Sequence, residues 1–450
     1  MKSLRLAGAA LLSALLSVGC TGDPAIDQAT TRDDSDVVAT PPSSPPTSVP
    51  TASKAPPPRA AQNVLLVLVD SLRWDMPWAG YPRDIAPWMT RFEARSVSYT
   101  RAYALSATTA RSVAGLLASR YPAEMKRNGY FFTRWYPENE FLAEILESKG
   151  SHSFGTHAHA YFFPQSGLDQ GVTDHRLLPG TFLKNTSEKN VTSERLYALA
   201  KQQLEAAREA RSRSGKPFFG YVHFMDPHSP YVPHPDLPAF GSQPRDLYDS
   251  EVRYTDEWVG KLIDLALAGG DTSVILSADH GECFGEHGHL KHGYELWEEL
   301  IRVPLMIHVP GVAPRRIATP RSHLDLAPTI LELMGYPRGE AMRGVSLVGE
   351  LEGAAARARP VIADLTRDNL QDRRRALIDG RLKLLATGDD KAFLLFDVVT
   401  DPREKRDLVA DRDEFKRMKH LYFQLSRGIP NAEIHGDAVK LKNAPEGRRW

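Results

Sequence analysis

The sequence predicts an α/β fold: a mostly parallel sheet flanked by helices, followed by a small C-terminal antiparallel sheet with one helix. Three observations carry this expectation. Unbroken apolar runs of strand length recur at VLLVLV (64–69), FFGYVHF (218–224), TSVILSA (272–278) and VPLMIHV (303–309), as in strands buried on both faces. Helical patterns lie between them, among them ARSVAGLLASR, NEFLAEILESKG, SERLYALAKQQLEAAREARS and YDSEVRYTDEWVGKLIDLALAGG. Past about Pro320 the texture changes to short strand candidates, PVIADL, RRALID, RLKLLAT and FLLFDV. DG and GDD turns link these, and a helix over 413–426 is expected to cover them.

Composition narrows the function classes. The chain has 450 residues, with Lys+Arg 56 against Asp+Glu 56 and a formal net charge of zero. That balance argues against a nucleic-acid coat. A hydrophobic fraction of 42% and a charged fraction of 25% are ordinary for a soluble globular protein. Two cysteines, Cys20 and Cys283, exclude a disulfide framework and a four-cysteine zinc site. Both Cys283 and His223, which lies in an apolar strand, are expected to be core residues.

The chain reads as four parts: an export signal (1–20), a Pro/Ser/Thr-rich tether (21–62), a main α/β domain (63–345) and a C-terminal subdomain with tail (346–450). Lys2 and Arg5 precede LAGAALLSALLSVG, a run too short to span a bilayer. It ends on Cys20 and resembles a bacterial lipobox, with Ser17 where leucine is usual; an ordinary cleaved secretory signal is the alternative. Lipidation at Cys20 would anchor an exported protein to a membrane at the periplasmic side or cell surface. The tether contains PPSSPPTSVPTASKAPPP and no aromatic residue. Such a segment is an extended spacer, reaching on the order of 100 Å at about 3.1 Å per residue. Asn185 and Asn190 lie in N-x-S/T patterns, which carry no weight in a bacterial lipoprotein. No protein partner is inferable.

In open parallel sheets ligands bind at the carboxyl ends of strands. Two of the apolar runs end there in acids, Asp70 and Asp279, and His280 follows the second. An acid after a strand is ordinarily a cap or turn residue. Two such acids with an adjacent imidazole make a candidate divalent-metal site. The hydroxyls of ALSATTARSVAGLLASRYP (104–122) precede an apolar-periodic helix and place Thr109 at or near its start. Helix N-terminal amides stabilise an anion or alkoxide, although Ser106, Thr108 or Thr109 could equally serve as a cap.

Together these segments resemble the sulfatase family of the alkaline phosphatase superfamily. The resemblance runs from Asn63 to about Ala410 through NVLLVLVDSLRWD, TARSVAGLLASRYP, YVHFMDPHSPYVP, DHGECFGEHG with HGYELWEELIRVPLMI, and the C-terminal RRALIDGRLKLL and LFDVVTDPREKRDL. It implies an alkaline-phosphatase-like sheet and one divalent metal ion held by Asp70, Asp279 and His280. Thr109 would be nucleophile and further ligand. His228 and His292 would contact the transferred group or its leaving oxygen, with Arg111 and Lys291 adding positive charge for an anionic ester substrate.

Departures from the family pattern sharpen the chemistry. The C/S-x-P/A-x-R motif converted to formylglycine is missing; Thr109 takes the nucleophile position and Val113 that of the partner arginine. Threonine cannot become formylglycine, and a sulfo-threonine lacks the second hydroxyl that ejects sulfate. A phospho-threonine is open to in-line attack at phosphorus. Ser71 replaces a second acid and His280 an amide, which favours zinc or manganese over calcium, although calcium stays open. The Asp-His pair also resembles threonine-using phosphoethanolamine and lipoteichoic-acid transferases. Three alternatives remain: a sulfatase working through a modified Ser106 or by slow direct hydrolysis without formylglycine, a two-metal site using Asp226, His228 and His292, and a degraded, surface-tethered binding protein.

Overall fold

The computed structural model describes residues 61–128, 133–179, 191–367, 371–435 and 438–442. The signal, Cys20, residues 21–60 of the tether, Asn185 and Asn190 lie outside the described residues. Strand β1 (Asn63–Val69) occupies the middle of the main sheet, and its alternation explains why. Val64, Leu66 and Leu68 join one apolar core while Leu65, Val67 and Val69 join another. Each side chain buried this way contributes about 1.5–3 kcal/mol relative to exposure.

The remaining strands of this sheet are β2 (Val97–Tyr99), β3 (Ser153–His157), β4 (Asp174–Leu177), β5 (Phe219–Phe224), β6 (Thr272–Ala278), β7 (Leu305–His308) and β8 (Arg315–Ile317). Their order is β8-β2-β7-β6-β1-β5-β3-β4. All neighbours pair in parallel except at β7, which is antiparallel to both β6 and β2. The VPLMIHV run therefore departs from the parallel expectation. No long crossover helix separates β6 from β7, so the chain leaves the sheet at Ala278, builds the site loop and returns alongside β6.

Helices α1 (Pro87–Glu93), α4 (Ser193–Ser214) and α5 (Pro244–Leu267) cover one face through residues such as Met89, Leu204 and Val259. Helices α2 (Thr109–Ala118), α3 (Leu142–Ser148) and α7 (Leu326–Leu333) cover the other. The short α6 (Glu298–Ile301) closes the site loop, and α8 (Val348–Leu351) adds Val348 and Leu351 to the core of the α2 face. No described helix is long and apolar enough to cross a membrane.

The C-terminal antiparallel sheet is present as expected. It comprises β9 (Val361–Leu365), β10 (Arg374–Asp379), β11 (Leu382–Thr387) and β12 (Ala392–Asp397), in sequential order. Its turns use Gly380, Gly388, Asp389 and Asp390 at positive φ, as tight turns require. One face packs Ala363, Ile378 and Leu385 with Tyr103, Leu296 and Trp297 of the main body. The other packs Leu377 and Leu384 under α9 (Arg412–Ser426) through Met418 and Tyr422.

Candidate active site

β1 and β6 run in register with Val69 opposite Ala278, so the next residue of each, Asp70 and Asp279, emerges beside the other at the carboxyl edge. Both acids are fully buried. Ser71, at φ 57°, turns back on them. Its hydroxyl donates to Asp70 Oδ1 (2.8 Å) and its backbone N–H to Asp279 Oδ1 (3.2 Å). Ser71 is thus a brace between the two acids.

His280 donates Nδ1–H to the Gly281 carbonyl at 2.9 Å. Its Nε2 lone pair then faces the acids, 3.5 Å from Asp279 Oδ2 and 3.8 Å from Asp70 Oδ1. Gly281 permits the loop to close here, because a Cβ would lie 2.0 Å from the Glu299 carbonyl oxygen. Thr109 is the first residue of α2, preceded by Thr108 in extended conformation. Its Oγ1 donates to Asp70 Oδ2 at 3.2 Å and lies 3.2 Å from His280 Nε2.

Asp70, Asp279 and His280 offer ligand atoms within 4.8 Å of one another. Asp279 Oδ2 is buried without a hydrogen-bond partner among the described residues, an unfavourable state that a cation would relieve. The donor set therefore fits the divalent ion implied by the sequence. Burial pushes both carboxyls up; at Asp70 the charge of Asp279 adds to it and the acid stays raised. At Asp279 the imidazoles of His280 and His223 outweigh burial and hold it low.

The other expected residues gather around this centre. The His292 ring lies 4.2 Å from that of His280 and 5.0 Å from that of His228. His292 Nδ1 donates to Glu282 Oε1 at 3.0 Å, and Tyr231 donates to Glu282 Oε2 at 2.7 Å. Burial lowers the pKa of His228 to about 4. Burial acts the same way on His292, but Glu282 reverses it and raises that imidazole. Arg111 is buried rather than a solvated surface charge, and its charge reaches Tyr161, whose phenol also feels Asp70 and Asp279. Lys291 is exposed on the Leu290–Lys291 strand, and no described hydrogen bond or ion pair ties it to the cluster.

Three further features escape a reading of the residues alone. His223, expected as core, is buried but stands 3.5 Å from Asp279 Oδ2 and 3.9 Å from Asp70 Oδ2. His159 and Tyr161 come from one loop, the first with its ring 6.2 Å from that of His228. Asp226 accepts from the backbone and hydroxyl of both Thr192 and Ser193, holding the start of α4, and is in neither cluster of metal-ligand spacing among the described residues. Its carboxylate is already engaged in capping. Val113 is fully buried in the core beneath α2.

Comparison with known proteins agrees with this architecture. The sulfatase profile matches residues 62–336, and the profile described as N-sulphoglucosamine sulphohydrolase, C-terminal, matches 285–429. A choline-sulfatase of Rhizobium meliloti is 31% identical over 258 residues, covering 47% of this chain and 50% of that protein. The chain thus spans about half the length of that relative. A low-salt glycan biosynthesis sulfotransferase of Haloferax volcanii is 26% identical over 317 residues, covering 66% of this chain and 67% of that one. The crystal structure of a phosphonate monoester hydrolase of Agrobacterium radiobacter shares the fold, with a TM-score of 0.62 at 18% identity, covering 84% of this chain and 99% of that one. The sulfatase profile runs from the first strand through α7 and so takes in every element that builds the site; this chain belongs to the sulfatase family.

Proposed function

We propose that the protein is a metal-dependent ester hydrolase that uses Thr109 as its nucleophile, acting on phosphate or phosphodiester esters. One observation carries the proposal: the Thr109 hydroxyl, at a helix N-terminus, touches both Asp70 Oδ2 and His280 Nε2 at 3.2 Å. Asp70, Asp279 and His280 would hold the ion, with Thr109 Oγ1 beside them. The mixed oxygen and imidazole set supports zinc or manganese ahead of calcium. When bound, the ion supplies the positive charge that stabilises a developing oxyanion.

The chain's own groups do the rest. Backbone amides at the start of α2 would add their partial positive charge to the same anion. Thr109 Oγ1 gives its proton to Asp70 Oδ2, which already accepts from it, and bonds to phosphorus as the bond to the leaving alcohol breaks. The alcohol takes a proton from a histidine. His292 is placed for that transfer because Glu282 fixes its Nδ1 and leaves Nε2 toward the site. Water then attacks the threonine ester, releasing the phosphate product and restoring the hydroxyl. Cys20, if lipidated, would hold this chemistry at a membrane surface outside the cytoplasm.

A second reading, sulfate-ester hydrolysis, is supported by the choline-sulfatase relative. A panel of chromogenic sulfate, phosphate, phosphodiester and phosphonate esters, assayed with zinc, manganese or calcium, separates the two. Acid-quenched protein turning over a phosphate ester should carry a phosphate on Thr109 in the 101–120 peptide. An aldehyde at Ser106, or turnover of sulfate esters alone, would replace the phosphoryl reading. Thr109→Ala should lose at least about a thousandfold in kcat while still binding metal; substantial residual turnover would remove Thr109 from its role.

A further inference from the structure

We infer that His223 is a positioning residue of the metal centre, donating from beneath the site to the carboxylates that hold the ion. The inference rests on the metal reading above and assigns a part to a residue outside it. Strand register places the residue. Leu68 of β1 pairs with His223 of β5 on one side and with Ser277 of β6 on the other. Side chains two apart on a strand share a face, so His223 stands one step below Asp70 and Asp279 on the face covered by α2.

Its surroundings show what it is aimed at. His223 is 0% exposed, and Phe162 lies against it with ring centroids 4.9 Å apart. Neither ring nitrogen makes a hydrogen bond of standard geometry among the described residues, and Asp279 Oδ2 has none either. These two unmet groups face each other across 3.5 Å, with Asp70 Oδ2 at 3.9 Å from the same Nε2. His280 and His292, by contrast, each tie a nitrogen to a protein oxygen. A buried donor and a buried acceptor left unmet are both unfavourable. Donation from His223 Nε2 to Asp279 Oδ2 answers both and fixes the direction in which that carboxylate presents itself. Outer hydrogen-bonding partners of metal ligands typically govern affinity by about 10–100-fold.

The test uses the full chain and two substitutions of similar polarity. His223→Gln keeps an N–H donor near the Nε2 position, whereas His223→Asn withdraws it to the Nδ1 position, short of the carboxylates. Zinc affinity is measured by competition with a chromophoric chelator, and the ligand set by the visible absorption of the cobalt(II) form. His223→Asn should bind zinc about 10–100-fold more weakly, with His223→Gln within about threefold of the parent and an unaltered cobalt spectrum. Equal affinity in all three proteins overturns the inference, as does an equal loss in both variants, which would reflect burial rather than donation. A cobalt spectrum changed in His223→Gln makes the imidazole a ligand and also overturns it. A parent that takes up no zinc removes the metal centre itself, a failure distinguishable from the others.

Discussion

Among the described residues two clusters meet the spacing of a metal site: the buried Asp70, Asp279 and His280, and the half-buried His287 with the buried Glu299 and Glu404. Their charge environments differ. In the second, Lys383 Nζ stands 2.9 Å from Glu404 and 3.2 Å from Glu298, and Arg403 is 3.2 Å from Glu299. His287 stacks on Trp297 with centroids 3.9 Å apart. The acids of the first cluster have only histidines as ion-pair partners among the described residues. Spacing alone therefore does not mark a cation site. A shortage of protein cations around buried carboxylates does, because unpaired buried charge is costly and must be answered from outside.

The largest effect should come from breaking the cluster that lacks cations. Asp279→Asn is expected to lose the metal, taking the content from one equivalent per chain to none, and to lower turnover at least about a thousandfold. Glu299→Gln, at the other cluster, should leave metal content unchanged. Metal analysis finding two equivalents in the parent, one of them lost in Glu299→Gln, would break the comparison.

Lys383→Met attacks the compensated cluster and should act on stability alone. Lys383 is fully buried, and removing it strands Glu404 without its cation and leaves Glu298 only Arg302, 3.7 Å away. Breaking a buried pair this way costs about 3–5 kcal/mol, measurable by denaturant unfolding. Activity per folded molecule should persist, since the cluster lies between the C-terminal sheet and α6 rather than at the nucleophile.

These clusters differ too in how far the sequence discloses them. Asp70, Asp279, His280 and Thr109 each sit where a strand ends or a helix begins, so local patterning exposes them and the parallel-sheet rule brings them to one edge. His223 is hidden because its meaning depends on register between three strands distant in sequence, and an apolar run offers no local sign of register. The antiparallel course of β7 escapes for the same reason: a buried run reads alike in both directions. Lys383 in RLKLLAT reads as an outward-facing strand residue, and only the docking of the C-terminal sheet turns it inward. Asp226 misleads in the opposite sense, since the helix start it holds lies 33 and 34 residues upstream.

Asp226→Asn tests that last assignment. Loss of the charged acceptor at the start of α4 should destabilise the protein by about 2 kcal/mol. Metal content should stay at one equivalent per chain. A drop in bound metal would return Asp226 to the ligand set.

A pH dependence seated in the compensated cluster should sharpen the comparison in a second way. Burial is the main cause that raises Glu404, to about 7 against an ordinary 4.5, although Lys383 opposes it. For an acid whose folded pKa exceeds its unfolded one, ionisation is more costly in the folded state. Glu404 therefore imposes least on stability below about 4.5, and its penalty grows as pH rises through 4.5 to 7. Glu404→Gln removes that titration while retaining an acceptor for the Glu298 N–H, which Glu404 takes at 2.6 Å. The parent should then lose stability relative to Glu404→Gln between pH 4.5 and 7 and run parallel to it above. An opposite slope would mean that Lys383 outweighs burial, so that this cluster stabilises its carboxylates instead of merely tolerating them.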